Sequence, residues 1–221
     1  MDLSAVPLSA PWTMGAWIVA LPLLAGALWR APWARFASSE AAHVWYGTIV
    51  ALTLLWYLRA SLADGFAFHL LGAAGFALMS GGPLALVGGA VVVALTTFTR
   101  DVPVANAALV WLIEIVLPVG VVLAVLAIGE RRMPPNFFIY IFVAAFFGTG
   151  LAFGVAGISG AAVLVGGAGM PADIVFGEYA PYLIYLAFAE ATLTGMVLTL
   201  AVVYRPQWVA TFDDRRYLQG R

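Results

Sequence analysis

The sequence predicts an all-α polytopic bundle of about seven transmembrane helices, with the N-terminus outside and the C-terminus in the cytoplasm. Hydrophobic residues make up 64% of the 221 residues and charged residues only 10%, with a mean hydropathy of +1.01. Soluble domains carry about 45–50% apolar and about 25% charged residues. The apolar residues fall in runs near the roughly 20 that cross a bilayer. We therefore predict a single transmembrane domain over residues 1–221.

Seven apolar stretches are the predicted helices. They lie at 12–30, 41–58, 67–80, 82–99, 107–129, 136–168 and 181–204. Residues 67–99 could also form one long span in place of the third and fourth helices. Charge decides between the two arrangements, because cytoplasmic segments of membrane proteins carry an excess of basic residues.

With seven helices, most arginines fall on the cytoplasmic side. These are Arg30, Arg35, Arg131, Arg132, Arg205, Arg215, Arg216 and Arg221, and only Arg59 and Arg100 lie outside. One merged helix would move either the first cytoplasmic loop or the C-terminal tail to the wrong side. Gly81, Gly82 and Pro83 separate the third and fourth helices, because glycine often ends a helix and proline often begins one. We predict a tight cytoplasmic turn there, and external loops at 59–66, 100–106 and 169–180.

Three ionisable residues are predicted to lie at membrane depth: His69, Glu114 and Glu190. Such a group costs about 2.5–3.5 kcal/mol at the bilayer centre on insertion scales, so each needs a physical reason. The two glutamates are either structural carboxyls hydrogen-bonded inside the bundle or parts of a proton or cation relay. His69 is either an interfacial or structural residue or a metal ligand, since histidine is the commonest metal-ligating side chain. His43, at the cytoplasmic start of the second helix, is interpreted as interfacial.

Small residues and one serine suggest two further features. Gly150 and Gly154 have the GxxxG spacing that lets helices approach closely, and we interpret them as packing residues.

Ser159 lies in GISGAA, which resembles the GxSG element of rhomboid intramembrane proteases. A serine nucleophile needs a base within hydrogen-bond reach, and the chain has no histidine after His69. An intramembrane serine hydrolase is therefore a remote alternative that would require a pairing of His69 with Ser159.

The composition excludes several other kinds of site. There is no cysteine, so the chain has neither disulfides nor thiolate metal sites. The net charge of -1 gives no support for nucleic-acid binding. No positively charged leader precedes the first apolar run, so we do not expect a cleavable signal peptide. The sequence has no Walker motif and cannot itself hydrolyse ATP to drive transport.

Three segments together resemble a known family. They are FHLLGAAGFALMSGGPLALVGGAVVVAL, AALVWLIEIVLPVGVVLAV and LAFAEATLTGMVLTLAVVYRP, within about residues 40–205. They are similar to the CbiM-type membrane subunit of cobalt/nickel energy-coupling-factor transporters, a branch of the ABC transporters. The resemblance implies a multi-pass, non-enzymatic permease subunit of the bacterial inner membrane, surrounded by lipid. It implies capture of a transported divalent metal ion from outside, with no tightly bound cofactor, and partnership with a transmembrane scaffold and cytoplasmic ATPase subunits.

The resemblance also suggests site residues. His69 matches the family's histidine ligand, and Glu190 matches an acidic position of its last helix. The family begins Met-His, and this start chelates cobalt or nickel through nitrogen atoms, whereas Asp2 follows Met1 here. We therefore expect Asp64 and Asp101 to join His69 as metal ligands, a set that suits zinc, iron(II), manganese or magnesium. The alternative is a non-transporting membrane protein that assists assembly of a metal- or haem-containing partner.

Overall fold

The computed structural model describes residues 3–4, 6–61, 67–100, 102–213 and 217, and its fold is the all-α membrane bundle that the sequence predicts. The main helices are α1 (Ala10–Arg30), α2 (Ser39–Tyr57), α3 (Ala73–Ser80), α4 (Gly82–Thr99), α5 (Val104–Arg132), α6 (Phe137–Ala168) and α7 (Tyr182–Tyr204). Five of the described helices, α1 and α4 to α7, are long and apolar enough to cross a membrane. The chain is thus a multi-pass membrane protein.

Short elements connect these helices. Strands β1 (Ala60–Ser61) and β2 (Ala67–Phe68) form an antiparallel pair in which Ala60 lies opposite Phe68. Single 3₁₀ turns occupy Trp33–Ala37 and Pro206–Trp208. The predicted external loop at 169–180 is partly helical, with an α turn at Ala172–Ile174 and a π turn at Val175–Tyr179. Pro171 begins this turn, because its missing N–H and fixed φ suit a helix start.

The prediction of a third helix over 67–80 is wrong in its first half. Residues 67 and 68 pair with β1, residues 69–72 form a loop, and α3 begins only at Ala73. With 8 residues, α3 rises about 12 Å and cannot cross the bilayer alone. His69 therefore lies in a loop rather than on a helix.

Helix α3 is the centre of the bundle. Its sequence, AAGFALMS, is apolar on every face, which is typical of a helix surrounded by other helices. It contacts α4, α5, α6 and α7, and six of its eight residues are buried: Ala73, Ala74, Phe76, Ala77, Leu78 and Ser80. The small side chains allow the surrounding helices to approach α3 closely. A loop attached to this helix is consequently held deep inside the protein.

Both ends of α3 depend on glycine. Gly72 precedes it with φ +65° and Gly81 follows it with φ +83°, conformations that other residues rarely adopt. The amide of Gly81 donates to Ala77 O (2.8 Å) in the last i→i−4 bond of α3, the positive φ of Gly81 then turns the chain, and Pro83 follows in the first turn of α4. Residues 67–99 therefore do not form one long span, and the predicted break at Gly81 to Pro83 is confirmed.

The C-terminal segment, here Ala210 and Thr211, hydrogen-bonds to the C-terminal end of α3. Thr211 donates from its amide (3.3 Å) and its hydroxyl (2.8 Å) to Leu78 O, and Ala210 N donates to Met79 O (2.8 Å). Arg35 Nη1 donates to the last carbonyl of α3 at 3.0 Å. These bonds satisfy carbonyls that have no partner within a helix end. The segment therefore fixes α3 from the side opposite to His69.

Candidate functional site

His69 lies between β2 and α3 and is only 3% exposed. Its ring packs against the indole of Trp56, on α2, with the centroids 4.8 Å apart. Its Nδ1 lies 3.1 Å from Leu70 O. Because a carbonyl oxygen can only accept, Nδ1 carries the proton in this bond. The other nitrogen, Nε2, therefore points its lone pair or a second proton at the next partner.

That partner is Glu114. His69 Nε2 lies 3.2 Å from Glu114 Oε2, and each side chain is 1% exposed. Glu114 belongs to a π-helical turn of α5, Leu112–Val116, and π turns within α-helices occur frequently at functional sites. A buried charge without a partner is strongly unfavourable, so the imidazole and the carboxylate stabilise each other. The predicted single histidine is in fact one half of a buried histidine–carboxylate pair.

Residues 3, 4 and 6, here called the N-terminal segment, lie beside Glu114 and Asn106. Leu3 N donates to Glu114 Oε1 at 3.3 Å, and Leu3 is fully buried. The buried amide of Asn106, in the first turns of α5, donates to the carbonyls of Leu3 (3.3 Å), Ser4 (3.0 Å) and Val6 (2.8 Å). Backbone carbonyls are expensive to bury unbonded, so Asn106 makes this entry into the bundle possible. Leu3 thereby lies beside Glu114, the partner of His69.

The second intramembrane glutamate supports the loop that carries His69. Glu190, on α7, accepts hydrogen bonds from Leu71 N at 2.9 Å and from Gly72 N at 2.6 Å, and it is 2% exposed. Both of its oxygens are therefore bonded inside the bundle, as the structural interpretation of this residue predicts. Its carboxylate holds the backbone two and three residues after His69.

Other predicted site residues have different outcomes. Asp64 and Asp101 lie outside the described residues, so their expected role as ligands stays a prediction. Within the described residues, no three His, Asp or Glu side chains form a cluster that could hold a metal ion. His43 is exposed near the start of α2, as an interfacial residue would be. Ser159 is half-buried on α6. The hydrolase alternative required His69 to pair with Ser159, but His69 pairs with Glu114.

The geometry of the pair suits a divalent cation. Imidazole nitrogen and carboxylate oxygen bind zinc-like ions at about 2.0–2.2 Å, which separates two tetrahedral ligands by about 3.4 Å. The observed separation of 3.2 Å between Nε2 and Oε2 is close to this value. A cation can therefore lie between the two groups with little movement of either side chain. Sequence analysis identified Glu114 as a costly residue but not as the partner of His69.

Comparison with known proteins identifies a family. The CbiM family model, described as the cobalt uptake substrate-specific transmembrane region, matches residues 3–208. No curated protein matches the chain. The match includes His69, Glu114, Glu190 and the N-terminal segment from Leu3 onward.

Proposed function

Because the chain belongs to the CbiM family of cobalt uptake transmembrane proteins, we propose that it captures a divalent transition metal ion at His69 and Glu114. The family is one of membrane transport components, and the proposal adds the site and the chemistry of its ligands. One observation carries it, namely the buried pair of Nε2 and Oε2 at 3.2 Å beneath the N-terminal segment. Intramembrane ionisable residues mark ion pathways by default.

The ligands define which ions the site would take. A set that mixes imidazole nitrogen and carboxylate oxygen suits cobalt(II), zinc, iron(II) or manganese better than a square-planar nickel site built of nitrogen atoms alone. The negative charge of Glu114 offsets part of the ion's charge inside the bundle, where water is scarce. Asp64 and Asp101 are proposed as further oxygen donors, in keeping with the sequence analysis.

Transport would require partners. The sequence contains no ATP-binding motif, so we propose that this chain works with a transmembrane scaffold and cytoplasmic ATPase subunits, as in energy-coupling-factor transporters. The ion would enter from the outer side, where His69 follows the β1–β2 hairpin. Release toward the cytoplasm would require movement of the bundle around α3, which the partners would drive.

Metal titration tests the site directly. Protein stripped with chelator is titrated by calorimetry with Co²⁺, Ni²⁺, Zn²⁺, Fe²⁺ and Mn²⁺ in turn. We expect one ion per chain, and binding at least tenfold weaker in His69→Ala and in Glu114→Gln, since each variant removes one ligand. The matched control is His43→Ala, which removes the exposed histidine of the same chain and should bind like the wild type.

Two results would contradict the proposal. The first is that none of the five ions binds, and the second is that His69→Ala binds as tightly as the wild type. A cellular experiment separates the alternative of a non-transporting assembly protein. If deletion of the gene leaves uptake of the ion unchanged while a metalloenzyme or haem enzyme loses its cofactor, the assembly function replaces the transport function.

A further inference from the structure

We propose that Glu190 is a positioning residue that sets the orientation of the His69 imidazole for metal binding. The inference rests on the proposed function, because it assumes that His69 Nε2 is a ligand. Glu190 lies on α7, 118 residues after Gly72 in the sequence, and reaches the loop only through the folded bundle. Both of its carboxylate oxygens accept from backbone amides of the loop, so it acts on His69 through the backbone.

Glu190 binds two consecutive amides. Leu71 N donates to its Oε2 at 2.9 Å and Gly72 N donates to its Oε1 at 2.6 Å. Successive N–H groups converge on one anion when the second residue adopts a left-handed conformation, a backbone arrangement called a nest. Gly72 has φ +65° and ψ -4°, as this arrangement requires. The carboxylate and the glycine therefore stabilise one loop conformation together.

The first of these peptide units also orients the imidazole. The peptide between Leu70 and Leu71 donates its N–H to Glu190 and accepts at Leu70 O from His69 Nδ1, 3.1 Å away. A carbonyl held in this position keeps the proton on Nδ1. The lone pair of Nε2 is then available to an ion, because the bond made by one ring nitrogen decides which form the other takes.

The second peptide unit is held at both ends. Between Leu71 and Gly72, the N–H binds Glu190, and the C=O accepts from Trp56 Nε1 at 3.0 Å. The indole of Trp56 also packs on the imidazole of His69, at 4.8 Å between centroids. Glu190 on α7 and Trp56 on α2 thus both hydrogen-bond to the backbone of the loop. In this loop conformation His69 Nε2 faces Glu114.

The test compares three variants of the full-length protein with Co²⁺ as the probe. Glu190→Gln keeps the size of the side chain but turns one acceptor into an NH₂ donor that faces a backbone N–H. We expect Co²⁺ binding about tenfold or more weaker, the range typical of groups that orient metal ligands. The visible absorption of bound Co²⁺ should also shift, and hydrogen exchange in the peptide that contains 67–72 should become faster.

Two further variants separate positioning from general stability. Glu190→Asp retains two acceptor oxygens and should recover part of the affinity. Thr199→Val, on the same helix, removes a hydroxyl that donates only to Gly195 O, one turn earlier (2.6 Å), and should leave affinity and the Co²⁺ spectrum unchanged. If Glu190→Gln does not fold, Glu190→Asp takes its place and should bind Co²⁺ less tightly than the wild type, since its shorter side chain withdraws both acceptor oxygens from Leu71 N and Gly72 N.

The outcomes distinguish the positioning role of Glu190 from the proposed metal binding at His69. Wild-type affinity and an unchanged Co²⁺ spectrum in Glu190→Gln, or in Glu190→Asp if the first variant does not fold, would overturn the role of Glu190 when His69→Ala has lost binding. Wild-type affinity in His69→Ala contradicts the proposed site itself and the positioning role with it. Weaker binding, a shifted spectrum and faster exchange that Glu190→Asp partly reverses would support the inference.

Discussion

Replacing Gly72 by alanine tests whether the loop before α3 has the conformation on which the site depends. Gly72 has φ +65°, and a Cβ at this position would overlap Leu52 Cδ2 on α2. The left-handed conformation costs a non-glycine residue about 1–2 kcal/mol. Forcing a methyl group into a packed interior costs about 1–3 kcal/mol more. We expect Gly72→Ala to lower the free energy of unfolding by roughly 2–5 kcal/mol.

Gly81→Ala is the matched control at the other end of α3. Gly81 also has a positive φ, +83°, but nothing lies within 4 Å of a Cβ added there. Its substitution should carry only the backbone strain, about 1–3 kcal/mol. Because Gly81 is remote from Glu190 and His69, we expect it to lower stability and leave metal affinity unchanged. Gly72→Ala should reduce both quantities.

Unfolding in mixed micelles with increasing SDS measures the free-energy differences, and calorimetry with Co²⁺ measures affinity. A double-mutant cycle isolates the overlap with Leu52. Leu52→Ala alone should cost about 2–5 kcal/mol, as truncation of a buried leucine does. Combined with Gly72→Ala it should cost less than the sum, because the methyl group now occupies the space that Leu52 vacates. Additivity within about 0.5 kcal/mol, or unchanged metal affinity in Gly72→Ala, would refute the reasoning.

Five other substitutions test the orientation of the chain, helix packing and the support of α3 by the C-terminal segment. A cysteine at Val104, which is 52% exposed, should react with an impermeant maleimide on intact cells, while one at Met133, 41% exposed at the other end of α5, should react only after the membrane is opened. The reverse pattern would invert the proposed topology. On α6, Gly157→Ala should destabilise the protein by about 1–3 kcal/mol because its Cβ would lie 2.7 Å from a leucine of α7, whereas Gly154→Ala, in open space, should be neutral or stabilising in the same SDS titration. Thr211→Val should lower the free energy of unfolding by about 1–3 kcal/mol, since it removes one of two donors to Leu78 O and also the partner of the buried Tyr140 hydroxyl at 2.7 Å. An unchanged midpoint in SDS would show that the C-terminal segment does not support α3.

The sequence determined the class of fold through quantities that do not depend on tertiary structure. An apolar run of about 20 residues can satisfy its backbone in lipid only as a helix, so the approximate bounds of the long spans follow from hydropathy. The predicted number of spans needed the distribution of arginines as well. The break at Gly81 was equally readable, because glycine and proline act on their own backbone. His69, Glu114 and Glu190 were identified by the cost of placing ionisable groups in a membrane.

Only the tertiary structure decided what these residues do. The stretch 67–72 is apolar enough to be predicted as part of a transmembrane helix. Contacts with β1, Trp56 and the carboxylate of Glu190 instead hold it in a non-helical conformation, and Glu190 is more than 110 residues away in the sequence. The pairing of His69 with Glu114, and the entry of the N-terminal segment beside them, likewise join distant parts of the chain. Hydropathy reports the transfer of each residue from water to lipid, whereas hydrogen bonds inside the bundle depend on which helices become neighbours. The partners of a buried polar group are therefore set by packing, and a local pattern shows only that such a partner is needed.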